Sequence, residues 1–465
     1  MNNKEKYEKI MKNYNRNFKI YLSIINLLFL ISFIIVKIKS KNDNFSPYSP
    51  EIKKIIINDG ESSKIGIISD FQLDADHIKS YSKFFEKNLF KALTVFKKYN
   101  IDIIIIAGDT TNRGKSIDYL LFKKILYSVY KYNQTPIIIS LMGNHDYFDM
   151  ADEDDKNRQK FFIYMKSYPY SHYIINNYNF IFWSNDNFNY EEHGVQYYSW
   201  IKETLEKARK NKNKEGDPIF VVTHMPPKNT VYGSEDMWGH EGIFNLLKDY
   251  PEVICISGHS HYSLRNKKSI WQGSFTAINT QSLSYIDLDQ IYENTMAVRE
   301  DSAKNDSMGL IAYLNKENIQ FDRIEFSTEE IIEEKWKINF PINISNFIYT
   351  FEKRNKKIKP IFNDKNAIKV ETIKEKNINK KYIVFHAAFH EDYVYIYKII
   401  FKNKNFNREY LYYSDYYKNK KLRKKIVQYE LPKNLENGQY NVEIYAIDSF
   451  DNISKPKIGI IDINI

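Results

Sequence analysis

IDIIIIAGDTTNRG, residues 101–114, is the stretch that decides the fold. Four successive isoleucines offer no polar face, so a strand made of them must be covered on both sides, as in a parallel sheet flanked by helices. The run ends in Gly108 and Asp109, which sets a carboxylate just past the strand. The same design recurs in KIGIISD at 64–70, TPIIISLMGN at 135–144, PIFVVTH at 218–224 and EVICISGH at 252–259. Between these runs, apolar spacing predicts helices over 78–98, 117–132, 197–212 and 241–248. Strand and helix alternate, which is the rhythm of an α/β domain. After about Trp271 the pattern changes to strands separated by turns. From 340 to 465, runs such as YVYIYKIIF and QYNVEIYAIDSF, rich in Tyr, Ile and Val and separated by Asn and Gly turns, predict a small all-β sandwich, on which Tyr410, Tyr412, Tyr413, Tyr416 and Tyr417 read as exposed residues of an ordinary sheet, with a glycan or partner surface as the alternative.

The chain has 465 residues, enough for two or three domains, and its 43% hydrophobic content excludes wholesale disorder. A single cysteine, Cys255, excludes an internal disulfide framework and cysteine-based zinc fingers, and its place in VICIS predicts a buried core residue. Net charge is +10 but unevenly spread: residues 340–465 carry 24 Lys and Arg against 14 Asp and Glu, and residues 1–62 carry 11 against 6, which leaves −5 for residues 63–339. Solvated lysine-rich loops account for the basic ends, and no nucleic-acid partner is expected.

Residues 20–36, IYLSIINLLFLISFIIV, are uncharged over a length that just crosses a hydrocarbon core of about 30 Å. Six basic residues precede the run and only Lys37, Lys39 and Lys41 closely follow it, which favours a cytoplasmic amino terminus. A single-pass signal anchor is the preferred reading, with a cleaved signal peptide and a buried core helix as alternatives. The expected organisation is a cytoplasmic basic segment at 1–19, an anchor at 20–36, a linker at 37–62, an α/β domain at 63–325, a linker at 326–339 and a β-sandwich at 340–465. The folded domains would then lie outside the cytoplasm, with the membrane as one partner and a cell-envelope ligand of the sandwich as a possible other.

The chemistry is expected where the strands end. Asp70, Asp109, Asn144 with His145 and Asp146, His224, and the pair His259 and His261 each follow an apolar run. Loops past the carboxyl ends of strands in an open α/β sheet are held in one row, which is where ligands bind. Taken singly, each piece reads as a turn, a cap or an ordinary histidine; five in this arrangement point to a metal site. The donors are oxygen and nitrogen without sulfur, a mix that suits Mn, Fe or Zn, and two ions if one carboxylate bridges.

These residues resemble the calcineurin-like metallophosphoesterases. The family order D-x-H, GD, GNH-D/E, H, GHxH is matched here by D-x-Q, GDTTNRG, GNHD, TH and GHSH over about 63–325. The resemblance implies a four-layer αββα sandwich and two divalent ions. It implies Asp109 as the bridge, Asp70 and His261 on the first ion, and Asn144, His224 and His259 on the second. His145 would be catalytic beside the scissile phosphate, without binding metal. Gln72 stands where the family has histidine; its neutral amide oxygen favours a harder ion such as Mn. Asp74 and His77, downstream, are poorer substitutes. Arg113 and His240 are candidates for the substrate cleft, whereas His77, His172 and His193 read as structural; the stretches 150–170 and 230–241 are expected as cap loops and carry no readable code for the substrate. The expected activity is hydrolysis of a phosphate ester, with a diester favoured. A degenerate, non-catalytic envelope-binding module is the alternative, kept open by Gln72.

Overall fold

The computed structural model describes residues 46–464 apart from 58–61, 77–81, 132–133, 151–153, 185–193, 213, 236–237, 288–306, 333, 364–366, 376–377, 419–420 and 422. The expected anchor at 20–36 lies outside these, as do His77 and His193. Among the described residues no helix is long and apolar enough to cross a membrane.

The elements of the first half are β1 (Lys53–Ile55), β2 (Ser63–Ile68), α1 (Ser82–Lys98), β3 (Ile103–Ala107), α2 (Ser116–Val129), β4 (Ile137–Leu141) and α3 (Asp154–Met165). There follow β5 (Tyr170–Ile175), β6 (Tyr178–Trp183), α4 (Gly194–Lys210), β7 (Ile219–Thr223), α5 (Glu241–Leu247), β8 (Val253–Ser257), β9 (Ile270–Gln272) and β10 (Thr276–Asn279). The second sheet is completed by β11 (Met308–Leu314), β12 (Asn318–Glu325), β13 (Glu330–Ile331) and β14 (Trp336–Asn339).

Two mixed sheets result. One runs β1-β5-β6-β7-β8-β10-β9, the other β13-β12-β11-β2-β3-β4, with β14 also on β12. The isoleucine run shows why they stack. Ile103 and Ile105 point into a core shared with Phe180, Phe220 and Ile254 of the facing sheet. Their alternates Ile104 and Ile106 pack under Leu89 and Phe96 of α1 and Phe122 of α2. On the far sheet, Val221 and Cys255 meet Ile201 and Leu205 of α4 and Ile243 of α5. The layers are therefore α, β, β, α, and Cys255 is a buried free thiol.

Three expectations change. Residues 326–339 are not a linker: β13 and β14 pair with β12, and Trp336 is fully buried with the Arg323 guanidinium 4.6 Å from its ring centre. The end of the expected 37–62 linker also joins the fold, because β1 pairs with β5 and the Tyr48 ring lies 5.3 Å from that of Tyr170. The stretch 150–170, expected as an unreadable cap loop, contains α3. The β5–β6 hairpin was also not anticipated. Its turn is Asn176-Asn177, both at positive φ (46° and 70°), as a two-residue turn of the primed type requires.

The carboxyl-terminal domain contains α6 (Phe351–Arg354) and β15 (Lys369–Glu375), β16 (Ile378–His386), β17 (Ile396–Lys402), β18 (Asn407–Tyr413), β19 (Ile426–Glu430), β20 (Gly438–Ile447) and β21 (Lys457–Ile463). Sheets β15-β16-β19 and β18-β17-β20-β21 enclose a core in which Tyr440, Val442, Ile444 and Ala446 alternate inward. The tyrosines expected as exposed are buried: Tyr410 and Tyr412 lie in this core, and Tyr413, Tyr416 and Tyr417 pack against the α/β domain. A cavity of about 610 Å³ opens beside Tyr412, Tyr417 and Arg423.

Trp336→Ala should lower the unfolding free energy by about 3–5 kcal/mol in urea titrations, the cost of emptying a large core site. A true linker residue would move it by no more than about 0.5 kcal/mol.

Candidate metal centre

Asp70, Asp109 and Asn144 follow β2, β3 and β4 of one sheet, while His224 and the His259/His261 pair follow β7 and β8 of the other. The acids and the amide thus come from one layer and the imidazoles from its partner, and they converge where the layers meet. Four of these residues, and Gln72 beside them, stand at positive φ: Asp70 at 53°, Gln72 at 43°, Asp109 at 52°, His259 at 70° and His261 at 58°. Left-handed backbone at a non-glycine residue costs on the order of 1–3 kcal/mol and persists only where the surroundings enforce it.

The glycines beside the ligands serve close approach as much as turning. A Cβ on Gly143 would overlap Asp109 Oδ1, and one on Gly258 would overlap Asp70 Oδ2. Of the three glycines that precede ligands, Gly108, at φ +91°, alone combines an overlap, with the His224 ring, and a left-handed turn.

The second cluster of donors is tight. His224 Nε2 lies 3.0 Å from Asn144 Oδ1, 3.1 Å from His259 Nδ1 and 3.4 Å from Asp109 Oδ1. Donors bound about 2.0–2.2 Å from one cation stand roughly 3 Å apart, so these separations fit a shared ion. The ring is aimed by its other nitrogen, whose N–H donates to the Ala107 carbonyl at 2.9 Å. Asp70, Asp109 and His261 form the adjoining cluster, each with a ligand atom within 4.8 Å of the others. His261 Nε2 is 3.2 Å from Asp70 Oδ1, and that oxygen, buried, receives no hydrogen bond. An ionised carboxylate oxygen without a donor is costly in protein and well suited to a cation. The donor set fits divalent metal ions.

Gln72 is buried at the same place. Its Nε2 donates to Asp109 Oδ2 at 3.3 Å and its Oε1 accepts from Ser284 Oγ at 3.4 Å. His145 lies at the rim with its side chain 23% exposed and Nε2 3.9 Å from Asp109 Oδ2. Its Nδ1–H donates to the Asn112 carbonyl at 3.0 Å, which leaves Nε2 as the outward nitrogen. Arg113 is half-buried on the Asn112 loop and takes no part in these contacts. His240 is a helix cap: its Nδ1 accepts from Ile243 N at the start of α5, so the expected place in the cleft gives way to a structural use of the ring. Asp74 is buried near Asp118 and not among the donors, which removes it as a substitute ligand. His172 bonds Asn179 at 2.9 Å and is structural.

Sequence reasoning missed Asp146 as an organiser. It accepts from Gly143 N, Thr110 N, Thr111 N, Thr111 Oγ and Tyr119 Oη, tying the GD and GNH loops together. Burial, helped by the Asp109 charge and resisted by these donors, pushes its pKa up to about 7. The aromatic neighbours were missed too: Trp238 lies 5.2 Å from the His259 ring, Tyr285 4.3 Å from His261 and Phe148 4.7 Å from His145. Aromatics spread across distant loops leave no motif.

Burial disfavours charge throughout the centre, yet the pairs hold it. Asp109 and Asp70 lie below the usual carboxylate range because nearby imidazoles outweigh burial, His224 chief among them for Asp109 and His261 for Asp70. His224, despite burial, is pushed up to about 9 by the Asp109 and Asp70 carboxylates. His259 falls to about 3 through burial and the His224 charge. Without metal, one proton therefore sits on His224 while His259 stays neutral.

Residues 63–263 match the calcineurin-like phosphoesterase family. A probable cyclic nucleotide phosphodiesterase of Vesicomyosocius okutanii is 26% identical over 206 residues, which cover 43% of this chain and 79% of that protein. Similar solved structures include a dimetal phosphatase from Danio rerio (12% identity, 60% of this chain and 99% of that one, TM-score 0.41) and a purple acid phosphatase from yellow lupin seeds (14% identity, 60% and 54%, TM-score 0.43). The α/β region is a calcineurin-like metallophosphoesterase domain, and the chain is a hydrolase of that class.

Asp146→Ala leaves several buried donors without an acceptor, and it should cost about 3 kcal/mol or more in chemical unfolding. Stability within about 0.5 kcal/mol of the parent would show that Asp146 does not tie the loops.

Proposed function

We propose that the chain is a membrane-anchored phosphodiesterase that works with two divalent ions, manganese favoured, and faces away from the cytoplasm. The observation that carries the two-ion reading is Asp109, whose Oδ1 faces His224 and whose Oδ2 faces Gln72. One carboxylate thereby serves two donor groups, Asp70, Gln72 and His261 in the first and Asn144, His224 and His259 in the second. A half-turn of the Gln72 amide presents Oε1 to the first group, with Ser284 Oγ then accepting from Nε2. That neutral oxygen is the reason to favour manganese. When bound, such ions supply Lewis-acid polarisation and a nucleophile at neutral pH.

The chain's own residues do the rest. Asp109 and Asp70 arrive already ionised. His145, its tautomer fixed by Asn112, presents Nε2 at the rim, where in its protonated form it would donate to the departing oxygen. The diester preference draws on the relative named a probable cyclic nucleotide phosphodiesterase. The anchor rests on the uncharged run 20–36 and its flanking basic residues, and the outward-facing catalytic domain follows from their bias. A non-catalytic binding module is the second reading; the donation from Gln72 Nε2 to Asp109, which occupies the first donor group, favours it.

The test is hydrolysis of bis(p-nitrophenyl) phosphate and of a cyclic nucleotide, with Mn²⁺ present and after chelation. Activity should vanish on chelation and return with Mn²⁺, and His145→Ala should lower kcat roughly 10²–10⁴-fold. Unchanged turnover in Asn144→Ala and His224→Ala would remove the assignment. One ion or none per chain would select the binding module.

The pH dependence of metal uptake has a defined sign. His224 must release its proton for Nε2 to bind a cation, so below about pH 9 uptake releases a proton. His261, which the Asp70 carboxylate also raises above its usual range, must give up its proton too, so Mn²⁺ affinity should climb at least about tenfold per pH unit between 6 and 8 and level off near 9. Calorimetry in buffers of different ionisation enthalpy measures both quantities.

A further inference from the structure

His259 and His261 differ from His224 in one respect. The outer nitrogen of His224 is anchored on a backbone carbonyl, the usual way of aiming a ligating imidazole. The outer nitrogens of the other two, His259 Nε2 and His261 Nδ1, are buried and have no hydrogen-bond partner. Both residues also sit on left-handed backbone. Only their inner nitrogens, facing His224 and Asp70, have polar neighbours, so the far side of each ring must be held by packing.

We propose that the carboxyl-terminal sandwich supplies that restraint, and that Tyr395 is a positioning residue for His259 and His261. The rings themselves are held by aromatic neighbours, Trp238 against His259 and Tyr285 against His261. Trp238 packs on a cluster that includes Tyr232, Tyr262 and Ile286 of the α/β domain. Tyr262 directly follows His261, and Ile286 directly follows Tyr285. The other six of its nine buried members come from the sandwich, among them Tyr395, whose ring meets those of Tyr413 and Tyr416.

Tyr395 makes the joint. Its hydroxyl hydrogen-bonds that of Tyr232, and the two rings meet edge to face at 5.8 Å. The Tyr232 ring in turn meets that of Tyr262 at 4.6 Å. Gly233, at φ +82°, lets the loop press so close that a Cβ there would overlap the Tyr262 ring. The backbone is clamped in the same direction. Tyr232 N donates to Lys268 O at 2.9 Å, Lys267 N donates to Tyr393 Oη at 3.2 Å, and Lys267 pairs with Asp392 at 2.5 Å. The sandwich is thus the outer wall of the metal centre, and the two histidines are aimed by packing from another domain.

This inference rests on the metal-centre reading, and the experiment separates the two. Mn²⁺ binding to the full chain is measured by calorimetry, and the visible spectrum is recorded with Co²⁺. Tyr395→Ala should weaken Mn²⁺ binding roughly tenfold and shift the Co²⁺ band, as loss of an outer support does. Tyr395→Phe, which keeps the ring, should recover most of that affinity. Tyr410→Ala, in the sandwich core away from the joint, should lower Tm and leave both metal readouts at the parent value. Unchanged Mn²⁺ affinity and Co²⁺ spectrum in Tyr395→Ala overturn the proposal, and so does an equal loss in Tyr410→Ala. Should Tyr395→Ala not fold, Tyr395→Leu, which fills the space without an aromatic ring, decides: weaker Mn²⁺ binding supports the joint, and unchanged binding overturns it. Equal Mn²⁺ binding by the parent and His224→Ala would instead sink the metal-centre reading itself.

Discussion

Asp70 and Asp109 are withdrawn from water almost completely, and burial alone would drive protons onto both. They stay ionised because imidazoles from the opposite sheet stand within 3.2–3.9 Å of them. Neither sheet can build such a group alone: one layer brings the negative charges, the other the partners that make those charges tolerable. The stacking of the two sheets is therefore an electrostatic requirement of the site as well as a hydrophobic one. Backbone strain adds to the demand, since five site residues occupy left-handed conformations that the fold must enforce.

Much of this was legible in the chain. IDIIIIAGD could only be a strand covered on both faces, and Asp109 could only emerge at its end. The four-layer architecture followed from several such runs in alternation. The ligand set was legible because each donor sits beside a short, recognisable turn. The rest depended on contacts that leave no local trace. Trp336 looked like linker because its four-residue strand is too short to show an apolar run of its own and is held by backbone pairing with β12. His240 looked like a cleft residue, but the start of α5 lacks a better cap and takes its ring nitrogen. Gln72 shows its departure from the family pattern in the sequence, while the donation to Asp109 appears only in three dimensions.

The sandwich was misjudged for a related reason. A tyrosine cluster at the end of a β-domain reads as an exposed surface when only its own sheet is considered. Three of its five tyrosines, Tyr413, Tyr416 and Tyr417, pack in a cluster shared with the α/β domain, and nothing in the order YLYYSDYY announces it. Interfaces between domains are built from residues that each domain separately would leave wet.

Cys255 gives the molecule a built-in witness to its own opening. The thiol lies in the middle of β8, fully covered, and burial raises its pKa far from reactivity. That strand ends at Ser257, and His259 follows two residues beyond it. An alkylating reagent reaches the sulfur only when that strand parts from its neighbours, so the rate of modification reports opening at the root of the imidazole cluster rather than fraying of distant loops.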